Sequence, residues 1–512
     1  KLNFVVCCRY YISILIFNAY VYYRRIAYAD IIFIQLGVNF IWFSRCAYVF
    51  CYYLSVVLIS FRRKHSRLIC DVIPFKITIF LYGFFTIAFS VHKNFSFVKV
   101  AVAIHIDPFP NLIDKIPMRK YMKKMELIAP CHFGLEAVLK KEILDLGYEI
   151  TNVDNGKVTF EGDAEAIARA NLFLRTTERI LLKVAQFKAT TFDELFENIK
   201  AIPWEEYIPK DGKFWVTKAN SVSSKLFSPS DIQRIVKKAM VERMKKTYNC
   251  SWFEETGASY ALRISIVKDV VTVGIDTTGE SLHKRGYRKF TAPAPVTETL
   301  AAAMILLSPW RPDRVLVDPF CGSGTIPIEA AMIALDMAPG MNREFVAENW
   351  SNLVPKKHWY EAVEEAQERI RTDVDIHIQG YDISEEVLRM ARANAELAGV
   401  DSYIHFQQRD VKNFSTPKKY GFVISNPPYG ERLSTKEEMF SLYKTIGQVM
   451  SENNTWSFFL LSGYEEAQKA IAAGGDRKKA TKNRKIYNGM LKTYLYQYMG
   501  EKPPRRKERE HE

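Results

Sequence analysis

The feature that most constrains the fold is an alternation of strand, polar loop and helix between residues 315 and 429. The apolar run Val315-Leu316-Val317 leads into Asp318-Pro319-Phe320-Cys321-Gly322-Ser323-Gly324-Thr325, and an apolar helix is predicted over 326–338. Further strands are predicted at 376–382, 404–407 and 422–424, with a helix at 385–398. Strands that alternate with helices pair in parallel. The pattern therefore predicts an α/β fold whose polar loops meet at one edge of a sheet.

Three of these loops have the composition of a nucleotide-type site. Gly322 and Gly324 let the backbone approach a ligand closely, and the following helix N-terminus favours a carboxylate or phosphate. The alternative is that this glycine pattern is only a tight strand-to-helix turn, as occurs in any α/β protein. Asp382 ends the second strand, where α/β sites hydrogen-bond ribose hydroxyls, although an acid there also caps helices. Asp410 follows the third strand and is either an acceptor for an adenine amino group or a surface-turn acid.

The fourth loop is Asn426-Pro427-Pro428-Tyr429. Proline fixes φ and removes a donor, and the residue before it becomes extended, so this loop is stiff. It presents two acceptors, the Asn426 side chain and the Pro427 carbonyl, beside the ring of Tyr429. That set suits a flat heterocycle with an exocyclic amine, on which Tyr429 would stack; the alternative is that Tyr429 is a core aromatic.

These segments resemble the motifs of class I S-adenosylmethionine-dependent amino-methyltransferases. Leu-His-Lys-Arg-Gly-Tyr-Arg at 282–288 and the segment 485–496 further resemble the THUMP-domain RNA guanine-N2 methyltransferases of the bacterial RlmL type, over about residues 122–500. The resemblance implies S-adenosylmethionine as cofactor and RNA as partner, with 23S rRNA as the target. It implies a cofactor site at Asp318, Pro319, Cys321, Gly322, Ser323, Gly324, Asp382 and Asp410, and catalytic roles for Asn426, Pro427, Pro428 and Tyr429.

The substrate stays open, because adenine-N6 DNA methylases and glutamine-N5 methylases share the Asn-Pro-Pro-Tyr element. The alternatives are a tRNA guanine-N2 methyltransferase, an adenine-N6 DNA methylase, and a THUMP RNA-binding factor without activity. One departure is visible at Thr297, near which the resemblance leads us to expect a basic residue. No metal site is expected, because zinc-type cysteine or histidine spacings do not occur after residue 118.

The expected architecture is α/β, a Rossmann-like class I methyltransferase sheet preceded by an α+β ferredoxin-like/THUMP module. We expect a ferredoxin-like domain at 122–180, a THUMP domain at 181–280, a catalytic domain at 285–500 and a disordered tail at 501–512. Two basic segments, a helix over 230–246 and a loop over 477–485, are either solvated or contact phosphates.

Residues 1–117 differ from the remainder. They contain neither Met nor Glu, hold five of the eight cysteines, and have 13 Lys and Arg against 4 Asp. One interpretation is that these residues are translated upstream sequence from AT-rich DNA. The protein would then start at Met118, Met122 or Met125 and would be cytoplasmic. The other interpretation is a membrane region. A membrane is therefore an expected partner only if residues 1–117 belong to the native protein. Of its apolar runs only 26–44 approaches the ~20 residues that a helical span needs.

Overall fold

The structure is a computed structural model that describes residues 87–91, 94–98, 124–290, 296–429, 435–489 and 491–504. The chain divides into two units, residues 1–117 and 118–512. In the first unit, Ile87–Val91 (β1) and Asn94–Val98 (β2) form an antiparallel hairpin. Our predictions for the rest of residues 1–117 and for most of the tail concern residues that lie outside the described ranges. Among the helices that are described, none has the length and apolar character needed to cross a membrane.

Residues 125–276 form the N-terminal sheet, in the strand order β4-β5-β3-β6-β9-β8-β7. Its strands are β3 (Met125–Pro130), β4 (Ile150–Asp154), β5 (Lys157–Gly162), β6 (Leu181–Lys188), β7 (Lys213–Val222), β8 (Ser259–Val267) and β9 (Val270–Asp276). Its helices are α1 (Glu136–Asp145), α2 (Ala164–Phe173), α3 (Phe192–Ala201) and α4 (Pro229–Tyr248). All neighbouring strands are antiparallel except β7 and β8.

Helix α4 shows how sequence sets these boundaries. The Ser228 hydroxyl accepts from the Asp231 N–H at its start, Pro229 occupies the first turn, and Asn249 ends it with a left-handed φ of 47°. Two residues of its basic face are engaged within the protein: Arg243 pairs with Glu205, and the Lys237 ammonium contacts the Phe214 carbonyl and Glu255. Arg234, Lys238, Lys245 and Lys246 are exposed, so solvation and phosphate contact both stay open as interpretations for these four.

The C-terminal sheet has the order β12-β11-β10-β13-β14-β16-β15. Its strands are β10 (Leu316–Asp318), β11 (Ile378–Asp382), β12 (Ile404–Gln408), β13 (Phe422–Ser425), β14 (Ser457–Ser462), β15 (Lys482–Asn488) and β16 (Leu491–Tyr498). Its helices are α5 (Glu298–Leu307), α6 (Thr325–Ala334), α7 (Lys356–Glu368), α8 (Glu385–Leu397), α9 (Lys436–Glu452) and α10 (Ala467–Gly474). Strands β10 to β14 are parallel, and β16 is antiparallel to both β14 and β15.

The central strands are buried on both faces, as expected for a parallel sheet covered by helices. Leu316 and Ile424 belong to one apolar cluster, and Val317 and Val423 belong to a second, following the two-residue period of a strand. Because β10 lies between β11 and β13, the glycine loop, Asp382 and the Asn-Pro-Pro-Tyr loop all emerge at the same edge. The predicted Rossmann-like sheet is confirmed.

The segment 282–288 connects the two sheets, and its buried Arg285 contacts both sides: the guanidinium donates to the Arg175 carbonyl at 2.6 Å and forms an ion pair with Glu329 of α6. Arg285 is 2% exposed, and its Nε lies 3.4 Å from Glu329 Oε1, which also accepts from the Tyr287 hydroxyl at 3.0 Å. Gly286 has a φ of +96°, and a β-carbon there would lie 2.3 Å from the Asn342 carbonyl oxygen. This part of the resemblance therefore has a structural role at the junction.

A second junction centres on Glu178, between α2 and β6. Its carboxylate accepts from Ser281 Oγ at 2.6 Å and Thr299 Oγ1 at 2.5 Å, bonds His283 Nδ1 at 2.8 Å and lies 3.3 Å from His132 Nε2. Burial alone would raise the pKa of Glu178, but these hydrogen bonds outweigh burial and hold it well below its usual range. One ionised side chain thus links both sheets and the connection between them.

Candidate functional site

The glycine loop between β10 and α6 has the shape of a cradle. Gly322 and Gly324 have φ values of +52° and +86°, a region that favours glycine. A β-carbon at Gly324 would lie 3.1 Å from Ala391 Cβ, whereas one at Gly322 would meet nothing within 4 Å. The loop is therefore packed against α8 on one side and open at Gly322, above the N-terminus of a ten-residue helix.

Asp382 at the end of β11 lies against this loop. Its Oδ2 accepts from the Gly322 N–H at 3.1 Å, and its Oδ1 accepts from the Ser384 N–H at 3.0 Å. Each carboxylate oxygen retains capacity for a second hydrogen bond. The two sequence-predicted parts of the cofactor site are thus in direct contact.

The other predicted loop residues are packed around this contact. Cys321 is buried, and burial raises the pKa of its thiol, which disfavours the thiolate form that a nucleophilic cysteine needs. Ser323 is 3% exposed, and its hydroxyl has no hydrogen-bond partner among the residues described. Pro319 precedes Phe320 in the turn. Asn394 of α8, which sequence reasoning missed, donates to the Ser323 carbonyl at 3.1 Å.

Asp410 lies one strand further along the same edge, since the Arg409 N–H donates to the Asp382 carbonyl at 2.9 Å. The Asp410 carboxylate accepts from the Lys412 N–H at 2.9 Å and pairs with the Lys412 ammonium at 3.1 Å. The backbone hydrogen bond from Lys412 lowers the pKa of Asp410. Asp410 therefore supports a local turn, and its predicted contact with adenine remains a prediction.

The Asn-Pro-Pro-Tyr loop is buried at the end of β13. Asn426 is 7% exposed, and within the described part of the chain its Oδ1 is buried without a hydrogen-bond partner. The Pro428 carbonyl accepts from the Tyr443 hydroxyl at 3.3 Å, and that hydroxyl lies 2.6 Å from Ser462 Oγ. Tyr429 is 8% exposed, and a β-carbon at Gly463 would lie 3.0 Å from its ring. The loop is thus braced by α9 and β14, while the Asn426 oxygen has no hydrogen-bond partner in the ranges that the structure describes.

A buried hydrogen bond joins the two halves of the site. Ser425 Oγ, at the end of β13, donates to Asp318 Oδ1, which also accepts from the Phe320 N–H at 3.1 Å. Burial raises the pKa of Asp318 to about 7, and the hydrogen bond from Ser425 opposes that rise. The residue directly before Asn426 is therefore bonded to the residue that begins the glycine loop.

Arg288 supplies a cation close to position 297. Its guanidinium donates to Thr325 Oγ1 at 2.7 Å and to the Val296 carbonyl at 2.9 Å, and its Nε lies 3.0 Å from Glu298 Oε1. Thr297 itself is the N-cap residue of α5. Arg288 thus holds the start of α5 to the start of α6, while residues 291–295 lie outside the described ranges.

The basic segment 477–485 differs from our expectation of a loop. Lys482, Arg484 and Lys485 lie in strand β15. Arg477 donates to the carbonyls of Trp456 and Asn454, and Lys478 donates to those of Ala472 and Gly475. The prediction of a basic loop was wrong for half of this segment, because pairing with β16 extends the hairpin to Lys482.

Comparison with known proteins identifies three domains in the chain and a similar protein that covers them. The RlmL ferredoxin-like domain profile matches residues 126–181, the THUMP domain profile residues 189–276 and the RMKL-like methyltransferase domain profile residues 285–495. The chain is 49% identical over 391 residues to YpsC of Bacillus subtilis (strain 168), described as a candidate RNA methyltransferase, covering 76% of this chain and 100% of YpsC.

Two solved structures are similar over the same region. One, from Listeria monocytogenes str. 4b F2365, is described as a predicted N6-adenine-specific DNA methylase; it is 49% identical, with a TM-score of 0.69 and coverage of 74% of this chain and 97% of that one. The other is the candidate methyltransferase SMU.472 in complex with SAH, 42% identical, with a TM-score of 0.70 and coverage of 75% and 100%. The open, left-handed Gly322 beside Asp382 fits such a cofactor. The chain therefore belongs to the RlmL-type family of S-adenosylmethionine-dependent methyltransferases, with ferredoxin-like and THUMP domains before the catalytic domain.

Proposed function

We propose that this protein methylates the exocyclic N2 amine of a guanosine in RNA, with 23S rRNA as the target. The observation that carries the proposal is the buried Asn426 Oδ1, which has no partner among the described residues and lies one strand away from the glycine loop. An acceptor held in this way suits an N–H donor from the substrate. The THUMP match and the description of YpsC support RNA as the substrate.

The chemistry needs an activated amine. An aromatic exocyclic amine is a poor nucleophile because its lone pair is delocalised into the ring. Hydrogen bonds from its two N–H groups to Asn426 Oδ1 and the Pro427 carbonyl would favour a tetrahedral nitrogen and stabilise the positive charge that develops on it. S-adenosylmethionine supplies an electrophilic methyl group on a sulfonium. Holding the two reactants in line lowers the barrier by several kcal/mol, about 7–11 at most.

The surrounding residues fit these roles. Tyr443 engages the Pro428 carbonyl, which restrains the loop beyond Pro427. Asp382 would hold the ribose hydroxyls, and the loop of Asp318, Pro319, Cys321, Gly322, Ser323 and Gly324 would surround the methionine part, with Asp410 facing the adenine. The target base must leave its stack or lie in a single-stranded loop, where Tyr429 would stack on it.

The rival of a different class is adenine-N6 methylation of DNA, the activity in the description of the Listeria relative. The same two acceptors would serve the adenine amine. The ferredoxin-like and THUMP domains upstream favour RNA instead, since they occupy the part of the chain where a DNA target-recognition domain would be expected.

The test is methyl transfer from tritiated S-adenosylmethionine to bulk RNA from a strain lacking the gene, with unmethylated DNA in parallel. Digestion to nucleosides and chromatography locate the label. Label in N2-methylguanosine from large ribosomal RNA is the expected result. Label in tRNA would change the target only, whereas label in DNA adenine alone, or no label in RNA, would refute the proposal.

Replacing Asn426 by Ala tests the acceptor itself. We expect turnover to fall about a hundredfold or more, the usual cost of one lost transition-state hydrogen bond, while calorimetry shows unchanged S-adenosylmethionine affinity. Asn426→Asp keeps an acceptor oxygen at the same place and should retain more activity than Asn426→Ala. Equal turnover of wild type and Asn426→Ala would remove the acceptor role.

A further inference from the structure

The tip of the β15–β16 hairpin presents an alternating set of aromatic and basic side chains. Lys485 pairs in register with Tyr494, and Tyr487 pairs with Lys492, so all four project from one face of the sheet. Both lysines are exposed and both tyrosines are partly exposed. The Lys485 ammonium lies 5.0 Å from the Tyr487 ring centre, and the Lys492 ammonium lies 5.4 Å from that of Tyr494. We call these four residues the tyrosine–lysine patch.

The opposite face of the same hairpin is buried, so the exposure of the patch is not that of a frayed strand. Ile486 and Leu495 are 0% exposed in the core. The Arg484 guanidinium donates to the Gly134 carbonyl at 3.0 Å, and His132 Nδ1 is 2.9 Å from the Tyr487 carbonyl. The N-terminal domain therefore holds the hairpin while leaving the patch open.

The patch lies next to the candidate catalytic loop. Tyr494 pairs in register with Ser462 of β14, and Gly463 follows directly. A β-carbon at Gly463 would lie 3.0 Å from the Tyr429 ring and 3.6 Å from the Lys492 carbonyl oxygen. Phe133 of the N-terminal domain, 42% exposed, extends the patch on its far side with its ring 6.1 Å from that of Tyr487.

This arrangement matches the chemistry of single-stranded nucleic acid. Proteins bind such strands with aromatic rings on which bases stack and with cations that contact phosphates. Neighbouring strands are about 4.8 Å apart, and alternate residues of one strand are about 6.6 Å apart, so rings and ammonium groups alternate over a surface that several nucleotides of a single strand could cover. A protein partner could use the two exposed ammonium groups only if it presented acidic side chains to them.

We propose that the tyrosine–lysine patch binds the single-stranded RNA that flanks the target nucleotide, with bases on Tyr487 and Tyr494 and phosphates on Lys485 and Lys492. This proposal rests on the proposed RNA substrate. It adds a site beside the catalytic loop that would orient the strand as the target base enters.

The test uses the full chain and a fluorescein-labelled single-stranded RNA of roughly twelve nucleotides, within the usual site sizes. Anisotropy gives the Kd at several salt concentrations. The double variant Lys485→Gln/Lys492→Gln should bind more weakly and reduce the slope of log K against log salt by about 1.4, since each phosphate that a lysine neutralises adds about 0.7 to that slope. Tyr487→Leu should weaken binding about fivefold or more without changing the slope.

Matched controls come from helix α7, where Lys357 is exposed and Tyr360 is 69% exposed. Lys357→Gln and Tyr360→Leu should bind the RNA like wild type, and calorimetry should show one S-adenosylmethionine affinity for every variant. In methyl transfer to bulk RNA, the patch variants should raise KM for RNA more than they lower kcat.

The outcomes separate this proposal from the proposed function. Patch variants that bind like wild type, while wild type methylates RNA, would refute the patch and leave the function standing. A wild type that methylates no RNA, yet binds the oligonucleotide through the patch, would refute the function and support the patch. A wild type that binds no RNA, or that binds the same sequence more tightly as DNA through the patch, would overturn the assignment of RNA to this surface.

Discussion

The stability that the catalytic domain loses when Ser425 is replaced by Ala should depend on pH in a defined way. Ser425 is 0% exposed and donates to Asp318, whose pKa burial raises from 3.8 to about 7. A hydrogen bond to a charged group contributes about 1.5–3 kcal/mol, against about 0.5–1.5 kcal/mol for one between neutral groups. The cost of the substitution should therefore depend on whether Asp318 is ionised.

The sign follows from the direction of the pKa shift. Because the folded pKa of Asp318 lies above its unfolded value, the native state binds more protons than the unfolded state. The contribution of this group to the free energy of unfolding is therefore lost as the pH rises from about 4 to about 7. Removing the Ser425 donor raises the folded pKa further. The variant and wild type then diverge above about pH 7, where the wild-type carboxyl is ionised. We expect a loss of about 1 kcal/mol at low pH and about 2–3 kcal/mol at high pH.

Thermal unfolding at about pH 5.5 and about pH 9, on either side of the Asp318 pKa of about 7, measures this difference. For a domain of this size the extra loss at high pH corresponds to about 2–4 °C in Tm per kcal/mol. Ser462→Ala is the matched control, because Ser462 is equally buried on the next strand and bonds to the Tyr443 hydroxyl, whose pKa burial raises. Its Tm loss should be equal at both pH values. An equal loss at both pH values for Ser425→Ala would refute the reasoning.

Two further predictions concern the cofactor site and the junction of the domains. Asp382→Ala removes the acceptor of the Gly322 and Ser384 N–H groups and should weaken S-adenosylmethionine binding about tenfold or more, or about 1.4 kcal/mol; calorimetry that shows wild-type affinity would exclude this role. Gly134→Ala should destabilise the docking of the N-terminal domain on β15, because φ is +93° and a β-carbon would lie 2.5 Å from the Lys485 carbonyl oxygen. Gly147→Ala is its control, since φ is +88° but a β-carbon there would meet nothing within 4 Å; equal Tm losses for the two variants would contradict a clash at Gly134.

The strands and loops of the site could be predicted because their signals are local. Apolar runs such as Phe422–Ser425 end in polar or proline-rich loops, and alternation with helices places those loops at one sheet edge. The edge strand β4 was missed because its residues, Ile150–Asp154, are mostly exposed and show no alternation. The Ser425–Asp318 bond could not be predicted, because it depends on β10 pairing with β13 across 107 residues of sequence.

Charged residues were the least predictable part. The basic character of α4 indicated solvation or phosphate contact, which stays open for its exposed residues, whereas Arg243 pairs with Glu205, 38 residues away. Lys485 and Lys492 became informative only when the register of the hairpin placed them beside Tyr494 and Tyr487. Local sequence gives the sign of a charge, whereas its partner is set by tertiary structure.

The junction at Glu178 bears on how an RNA held by the N-terminal domains would reach the catalytic loop. Its carboxylate engages Ser281 and His283 of the connection between the sheets and Thr299 of α5, while Arg288 holds α5 to the helix after the glycine loop. Loss of one partner would leave a largely buried charge with fewer hydrogen bonds, which is costly, so the connection favours one arrangement of the domains. A strand bound by the N-terminal domains would then meet the tyrosine–lysine patch at a fixed distance from Asn426.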